Sequence, residues 1–195
     1  MLTGNNLGSS ISDRRRFISK SALGFGSIIL CEDVLSRVRK LEGPVKIGMI
    51  ADLHQDVMHD GDRRLESFVQ AMKNEKPDAI IQLGDFAYPN KKNKKILEKF
   101  QNSNSNAFHV LGNHEIDDGH SFDEVVRLWG MKGRYYSQDV NGLKLIVLDG
   151  NEKSADHTKG YPSYMGKAQL FWLKNELEKS EGPIIIVSHQ PIAGP

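Results

Sequence analysis

The alternation of apolar and polar stretches over residues 44–195 predicts strands that alternate with helices. Short runs of β-branched and aliphatic residues, bounded by Gly, Pro or polar clusters, are typical of buried strands. Asn141-Gly142 lies between two such runs and indicates a hairpin. The predicted strands are 45–51, 79–83, 107–111, 134–140, 143–148 and 183–187, and the predicted helices are 63–74, 91–101, 122–129 and 167–179.

Three of these helices have an apolar side that repeats every three or four residues, which predicts that each packs on a sheet. The three sides are Leu65, Phe68, Val69 and Met72, then Ile96, Leu97 and Phe100, then Leu170, Phe171, Leu173 and Leu177. Strands that alternate with amphipathic helices, with one hairpin added, favour a layered α/β domain over a repeat array.

The composition changes this picture little. The chain has 195 residues, of which 38% are hydrophobic and 26% are charged, and these fractions exclude disorder throughout, a collagen-like chain and a bundle of membrane spans. The net charge of +1 gives no reason to expect nucleic acid as a partner. A single cysteine, Cys31, permits no internal disulfide.

The charge is unevenly distributed, because residues 1–40 carry +4 and the remainder carries −3. Arg14, Arg15 and Phe17 precede the short apolar stretch 22–31 and resemble a twin-arginine export signal. That resemblance implies a targeting tail over residues 1–43, recognition by the twin-arginine translocase, and a periplasmic or cell-envelope location. The apolar stretch is too short for the ~30 Å hydrocarbon core, so no stable membrane span is expected. The alternative is a basic amphipathic helix in a cytoplasmic protein.

Polar side chains directly follow four of the predicted strands. The four clusters are Asp52-Leu53-His54, Gly84-Asp85, Gly112-Asn113-His114-Glu115 and Ser188-His189. The crevice beyond the carboxyl ends of strands is the usual site in α/β folds, so these side chains are expected to meet there. Oxygen and nitrogen donors without thiolates suit Mn²⁺, Fe, Zn²⁺ or Co²⁺.

This order of clusters resembles the calcineurin-like metallophosphoesterases, over about residues 45–195. The resemblance implies an αββα sandwich and two metal ions, divalent or trivalent (Mn, Fe, Zn or Co). It also implies hydrolysis of a phosphomonoester or phosphodiester by a dinuclear metal-activated hydroxide. The expected substrates are phosphorylated small molecules or phosphoproteins.

The same resemblance assigns roles residue by residue. Asp52 and His54 are expected to bind the first metal, Asp85 to bridge the two, and Asn113 and His189 to bind the second. Asn113 and His114 are expected to contact substrate, with His114 as the catalytic group that protonates the leaving oxygen. Glu115 is expected to orient these neighbours.

Two features depart from the family pattern. The closing GHxH motif is absent, which predicts that residues 44–195 are the N-terminal portion of an incomplete domain. An inactive fragment or pseudo-enzyme scaffold is therefore one alternative function, and a phosphodiesterase specific for cyclic nucleotides or nucleotide diphosphates is another. Gly84 to Tyr88 also fits GDxxY, in which the tyrosine is a metal ligand; His54 is preferred as the ligand and Tyr88 is predicted to be a packed aromatic.

The remaining polar features are given ordinary structural interpretations. The lysine run 91–95 has no interleaved aromatics and is predicted to be a solvated helix face, so no nucleic acid is expected there. The polar segment 151–160 is long enough to form a lid over substrate. His59 and His120 are predicted to be solvated loop residues, His109 to be packed or exposed at a strand edge, and His157 lies in this polar segment.

Overall fold

The computed structural model describes residues 41–153 and 163–191. Residues 1–40 of the predicted targeting tail and residues 154–160 of the predicted lid lie outside the described residues. Within the described part of the chain, no helix combines the length and the apolarity needed to cross a bilayer.

The first sheet is parallel and consists of β1 (Ile47–Ile50), β2 (Ala79–Gln82) and β3 (Ala107–His109), in the order β1-β2-β3. Helix α1 (Gly61–Glu75) connects β1 to β2, and helix α2 (Lys94–Gln101) connects β2 to β3. Every residue of the central strand β2 is buried, as expected for a strand covered on both faces. Because all three strands run in one direction, their carboxyl ends lie at the same edge.

The second sheet is mixed. Strands β4 (Tyr136–Val140) and β5 (Leu143–Val147) pair antiparallel, and β6 (Ile184–Val187) runs parallel to β5. Asn141 and Gly142 both have positive φ, 52° and 84°, as a two-residue hairpin turn requires. The predicted hairpin and the α/β class are therefore confirmed. The other two α-helices of the described residues are α3 (Phe122–Leu128) and α4 (Lys167–Glu178).

Two apolar cores hold the layers together, and neighbouring residues of β2 contribute to different cores because side chains alternate across a strand. Ile80 belongs to the core that joins the first sheet to α1, α2 and α3, whereas Ile81 belongs to the core between the two sheets. Each fully buried aliphatic side chain contributes about 1.5–3 kcal/mol. The first core also contains Leu65, Val69, Phe86, Ile96, Phe100, Leu111, Val125 and Trp129, and the second contains Val110, Tyr136, Leu145, Val147 and Val187.

The predicted apolar side of α4 is wrong. Leu170 and Phe171 are 45% and 69% exposed, and Leu177 is also exposed. The helix instead buries Gln169, whose amide bonds the backbone N–H and C=O of Asp149 at 2.8 Å each. These hydrogen bonds fix the rotation of α4 about its axis, and hydrophobic periodicity alone does not reveal them.

Candidate metal centre

The segments that follow β1, β2, β3 and β6 converge on one cavity of about 710 Å³. All the predicted site residues line it: Asp52, His54, Asp85, Asn113, His114 and His189. The sheet order explains the convergence, since three of these segments leave adjacent parallel strands and the fourth leaves β6. The structure thus brings together the groups that the sequence predicts, and their individual roles stay predictions.

Three of these residues have an unusual backbone conformation. Asp52, His54 and Asp85 have φ of 53°, 48° and 52°, in the left-handed region that non-glycine residues seldom occupy. Backbone hydrogen bonds hold the two turns against each other: Asp52 N–H donates to Gly84 O at 3.2 Å and His54 N–H donates to Asp85 O at 2.8 Å. Such strain is maintained where the surrounding structure over-determines it, and it clusters at functional sites.

The Asp85 carboxylate is the centre of the site. It is only 5% exposed, and its Oδ2 lies 3.3 Å from the Nε2 of His189, 3.6 Å from that of His54 and 3.9 Å from that of His114. Its Oδ1 accepts a hydrogen bond from the backbone N–H of His114 at 3.0 Å. A buried carboxylate surrounded by three imidazole nitrogens forms a compact set of metal donors.

Two groups of donors share this carboxylate. One consists of His54, Asp85 and His114, the other of Asp52, Asp85 and His189, and within each group the donor atoms lie within 4.8 Å of one another. The resemblance instead pairs Asp52 with His54. Because the Nε2 of His54 also lies 3.7 Å from Asp52 Oδ1, the donors are close enough for either division.

The histidine orientation fits a metal pair. The Nδ1 of His189 is hydrogen-bonded to the backbone carbonyl of Leu83 at 2.9 Å, so its Nε2 is the nitrogen presented to Asp85. Ligand histidines usually donate the second ring N–H to a carbonyl or carboxylate in this way. The donor set and this fixed orientation together fit two transition-metal ions around Asp85.

The charges of this cluster are coupled. Burial acts to raise the pKa of Asp85, but hydrogen bonds from His189 and the His114 backbone, with the charges of both rings, outweigh it and lower the pKa. Burial acts to lower the pKa of His189, but Asp85 outweighs it and raises that pKa to about 9. In the metal-free protein His189 is therefore protonated at neutral pH, and a cation that takes its Nε2 must displace a proton.

His114 has a carboxylate partner of its own. Its Nδ1 is hydrogen-bonded to Asp117 Oδ2, and this bond is the main reason that the pKa of His114 is raised. Asp117 therefore stabilises the imidazolium and leaves Nε2 directed at the Asp85 side of the cavity. Asp117 was not predicted from the sequence, although its position three residues after His114, at the end of the turn His114–Ile116, brings the two side chains together.

Glu115 lies behind the site, as the sequence predicts for an orienting residue. Its Oε1 accepts from the backbone N–H of Phe86 at 2.7 Å, and its Oε2 has no hydrogen-bond partner among the described residues. Burial raises the pKa of Glu115 to about 7. Through Phe86 it supports the turn that carries Asp85.

Tyr88 lies at the edge of the same region, beside a small cavity that His54, Asp85 and His114 also line. Partial burial raises the pKa of Tyr88, and the nearby carboxylates of Asp117, Asp56 and Asp118 raise it further. His54 as the metal ligand and Tyr88 as a packed aromatic stay predictions.

Replacement of Gly112 by alanine is expected to destabilise the protein by about 1–3 kcal/mol and to weaken metal binding. A Cβ at this position would overlap the Oδ1 and backbone N of Asp85 and would lie 2.8 Å from Glu115 Oε2. Gly43→Ala is the matched control, because a Cβ there meets nothing within 4 Å. Thermal unfolding with and without metal measures both effects; equal stability of the two variants would contradict this packing.

The chain matches one family model and is similar to solved structures. A family model described as Calcineurin-like phosphoesterase matches residues 45–195. The structure of a dimetal phosphatase from Danio rerio is similar to this one with a TM-score of 0.57 and 17% identity, covering 76% of this chain and 70% of that chain. A phosphoesterase from E. coli, YfcE, aligns with a TM-score of 0.38 and 13% identity, covering 60% of this chain and 64% of that chain. A search of the curated proteins gave no significant match.

Proposed function

The chain belongs to the calcineurin-like phosphoesterase family, and from that premise we propose that it hydrolyses phosphate esters with two metal ions held around Asp85. The observation that carries this proposal is the sharing of one buried carboxylate by two groups of donors. The Danio rerio structure is of a dimetal phosphatase, which supports the same number of ions. The αββα layering expected from the resemblance is part of the proposal.

Two metal ions at this site would activate water and stabilise charge on the phosphoryl group. When bound, a pair of cations would hold the phosphoryl oxygens, neutralise developing charge and lower the pKa of an attacking water. Asp85 would hold both ions, and Asp52, His54, Asn113 and His189 would complete the set. The hydrogen bond at His189 Nδ1 and the turns at Asp52 and Asp85 would hold these donors in place for the ions.

His114 would act on the leaving group. Its Nδ1 is hydrogen-bonded to Asp117, so the imidazolium form is stabilised and Nε2 is left to donate. A leaving oxygen within hydrogen-bond distance of that nitrogen would take a proton as the P–O bond breaks. Asn113, which lines the same cavity, supplies an amide for a phosphoryl oxygen.

The proposal includes the substrate and the location expected from the sequence. Phosphomonoesters or phosphodiesters of small molecules or phosphoproteins are the proposed substrates. Export through the twin-arginine route to the periplasm or cell envelope is supported by Arg14, Arg15 and Phe17.

Metal removal is expected to abolish hydrolysis, because the attacking water is then not activated and the negative charge on the phosphoryl oxygens is not neutralised by the two cations. The full chain is dialysed against a chelator and then titrated with Mn²⁺, Zn²⁺, Co²⁺ or Fe²⁺. Hydrolysis of 4-nitrophenyl phosphate and of bis(4-nitrophenyl) phosphate is followed, and activity should saturate near two equivalents of metal. Hydrolysis that survives chelation would contradict the proposal, and two bound ions without hydrolysis of either ester would favour the alternative of an inactive scaffold.

A further inference from the structure

A chain of buried polar side chains leads from the end of β5 to Asn113. Asp149, Asn151 and Gln190 are 1%, 6% and 7% exposed. Burying three polar side chains is costly unless their hydrogen bonds are satisfied. Their contacts form one continuous sequence that ends at a residue of the metal centre.

The direction of these hydrogen bonds is set at the Asp149 end. Asp149 Oδ1 accepts from the backbone N–H of Asn151 at 3.0 Å, and the backbone carbonyl of Leu111 can only accept. Asn151 Nδ2 lies 2.8 Å from Asp149 Oδ1 and 3.1 Å from Leu111 O, so this atom must be the donor end of the amide. The Asn151 Oδ1 is then the end that remains for Gln190.

The same reasoning determines the amide orientation of Gln190. Its Nε2 lies 3.5 Å from Asn151 Oδ1 and 2.8 Å from Asn113 Oδ1. Because Asn151 presents an acceptor, Gln190 must present its NH₂ group, and the atom of Asn113 that faces Gln190 must be its carbonyl oxygen. Turning the Asn113 amide over would place two NH₂ groups against each other.

We propose that Gln190 is a positioning residue that selects the amide orientation of Asn113 and thereby tunes metal binding at the centre. The role of Asn113 toward metal rests on the proposed function, whereas its orientation by Gln190 does not. A carbonyl oxygen has two acceptor sites, so Asn113 Oδ1 can accept from Gln190 and still meet a cation.

Further hydrogen bonds and close packing hold this chain of polar side chains in place. Arg134 Nε donates to Asp149 Oδ2 at 2.6 Å, so the second oxygen of this carboxylate is also an acceptor. Gln169 binds both backbone groups of Asp149. At Gly150 a Cβ would lie 2.6 Å from the Cβ of Gln190, so the absence of a side chain lets Gln190 approach.

The test is a Mn²⁺ titration of the full, metal-free chain by calorimetry. Gln190→Met keeps the approximate shape and removes the donor, and Gln190→Glu keeps the shape and can only accept when ionised. Both are expected to weaken Mn²⁺ binding by about 10- to 100-fold, the usual effect of losing an outer partner of a metal ligand. The matched control, Gln70→Met, changes an exposed glutamine of α1 and should bind as the unaltered chain does.

A double-mutant cycle separates positioning from a general loss of packing. If Gln190 acts through Asn113, Gln190→Met should weaken Mn²⁺ binding little further in a chain that already carries Asn113→Ala. Additive losses, or Mn²⁺ affinity within twofold of the unaltered chain, would overturn the proposal.

A second measurement is independent of metal. In the metal-free protein, the side-chain ¹H–¹⁵N resonances of Asn113 should shift with Gln190→Met and stay in place with Gln70→Met. Unchanged Asn113 resonances would overturn the positioning role even if the chain bound no Mn²⁺. Failure of the unaltered chain to bind Mn²⁺, with the resonances shifted as expected, would count against the proposed function alone.

Discussion

Asp85→Asn is expected to lower the rate of phosphate ester hydrolysis by about 10³-fold or more, while the protein stays folded. Asp85 belongs to both donor groups, so the substitution removes one negative ligand from each. Loss of several kcal/mol of charge stabilisation corresponds to a rate loss of this size. Elemental analysis should show metal content falling well below that of the unaltered chain.

The fold should survive because asparagine has nearly the same shape. It keeps an oxygen that can accept from the backbone N–H of His114, as Asp85 Oδ1 does at 3.0 Å. In the metal-free chain the main loss is the attraction between Asp85 and His189. Asp62→Asn, at an exposed position in the first turn of α1, is the matched control and should leave metal content and rate unchanged. Full metal content in Asp85→Asn would mean that the two groups do not depend on a shared carboxylate.

The convergence of the site residues could be predicted from sequence because it depends on a simple rule of sheets. Asp52, Asp85 and Asn113 each follow one of three strands that prove to be adjacent and parallel. Segments that leave the same edge of a parallel sheet must lie close together. His189 follows β6 of the second sheet, and its proximity required the family resemblance as well as the apolar run before it.

The parts that escaped prediction depend on contacts between distant polar groups. Gln190 follows His189 directly, but its function depends on Asn151 and Asp149, about 40 residues earlier, whose side chains the pattern gave no reason to connect. The rotation of α4 was missed for the same reason, since Gln169 is a polar residue on the buried side. Hydrophobic periodicity records where apolar side chains lie and carries no information on which buried amides find partners.

The sequence pattern does not determine whether His109 is buried or exposed, and the structure does. The sequence predicts a histidine that is packed or at a strand edge, and the structure buries it between Phe86, Phe100 and Trp129. Burial lowers the pKa of His109 to about 3, so it is neutral. Unlike the site histidines, which follow the strands, His109 lies within β3 and is a core residue.

His114→Ala is expected to slow hydrolysis of an ester with a poor leaving group, such as an alkyl phosphate, by about 10²- to 10⁴-fold. The same change should affect a 4-nitrophenyl ester far less, because nitrophenolate leaves without being protonated. His120→Ala is the control, since His120 pairs with Asp118 and is not among the residues that line the cavity. Steady-state rates with the two esters measure the difference.

The pH dependence follows from the Asp117 contact. Since Asp117 raises the pKa of His114, the protonated acid persists to higher pH than in an ordinary histidine, and the rate with the alkyl ester should fall only as pH rises through that raised value. Asp117→Asn lowers the pKa of His114, so the alkaline side of the profile should move to lower pH. The alkaline side for the 4-nitrophenyl ester should not move with it.

Equal losses of rate for the two esters in His114→Ala would instead assign His114 to the metal, as the third donor of the group formed with His54 and Asp85.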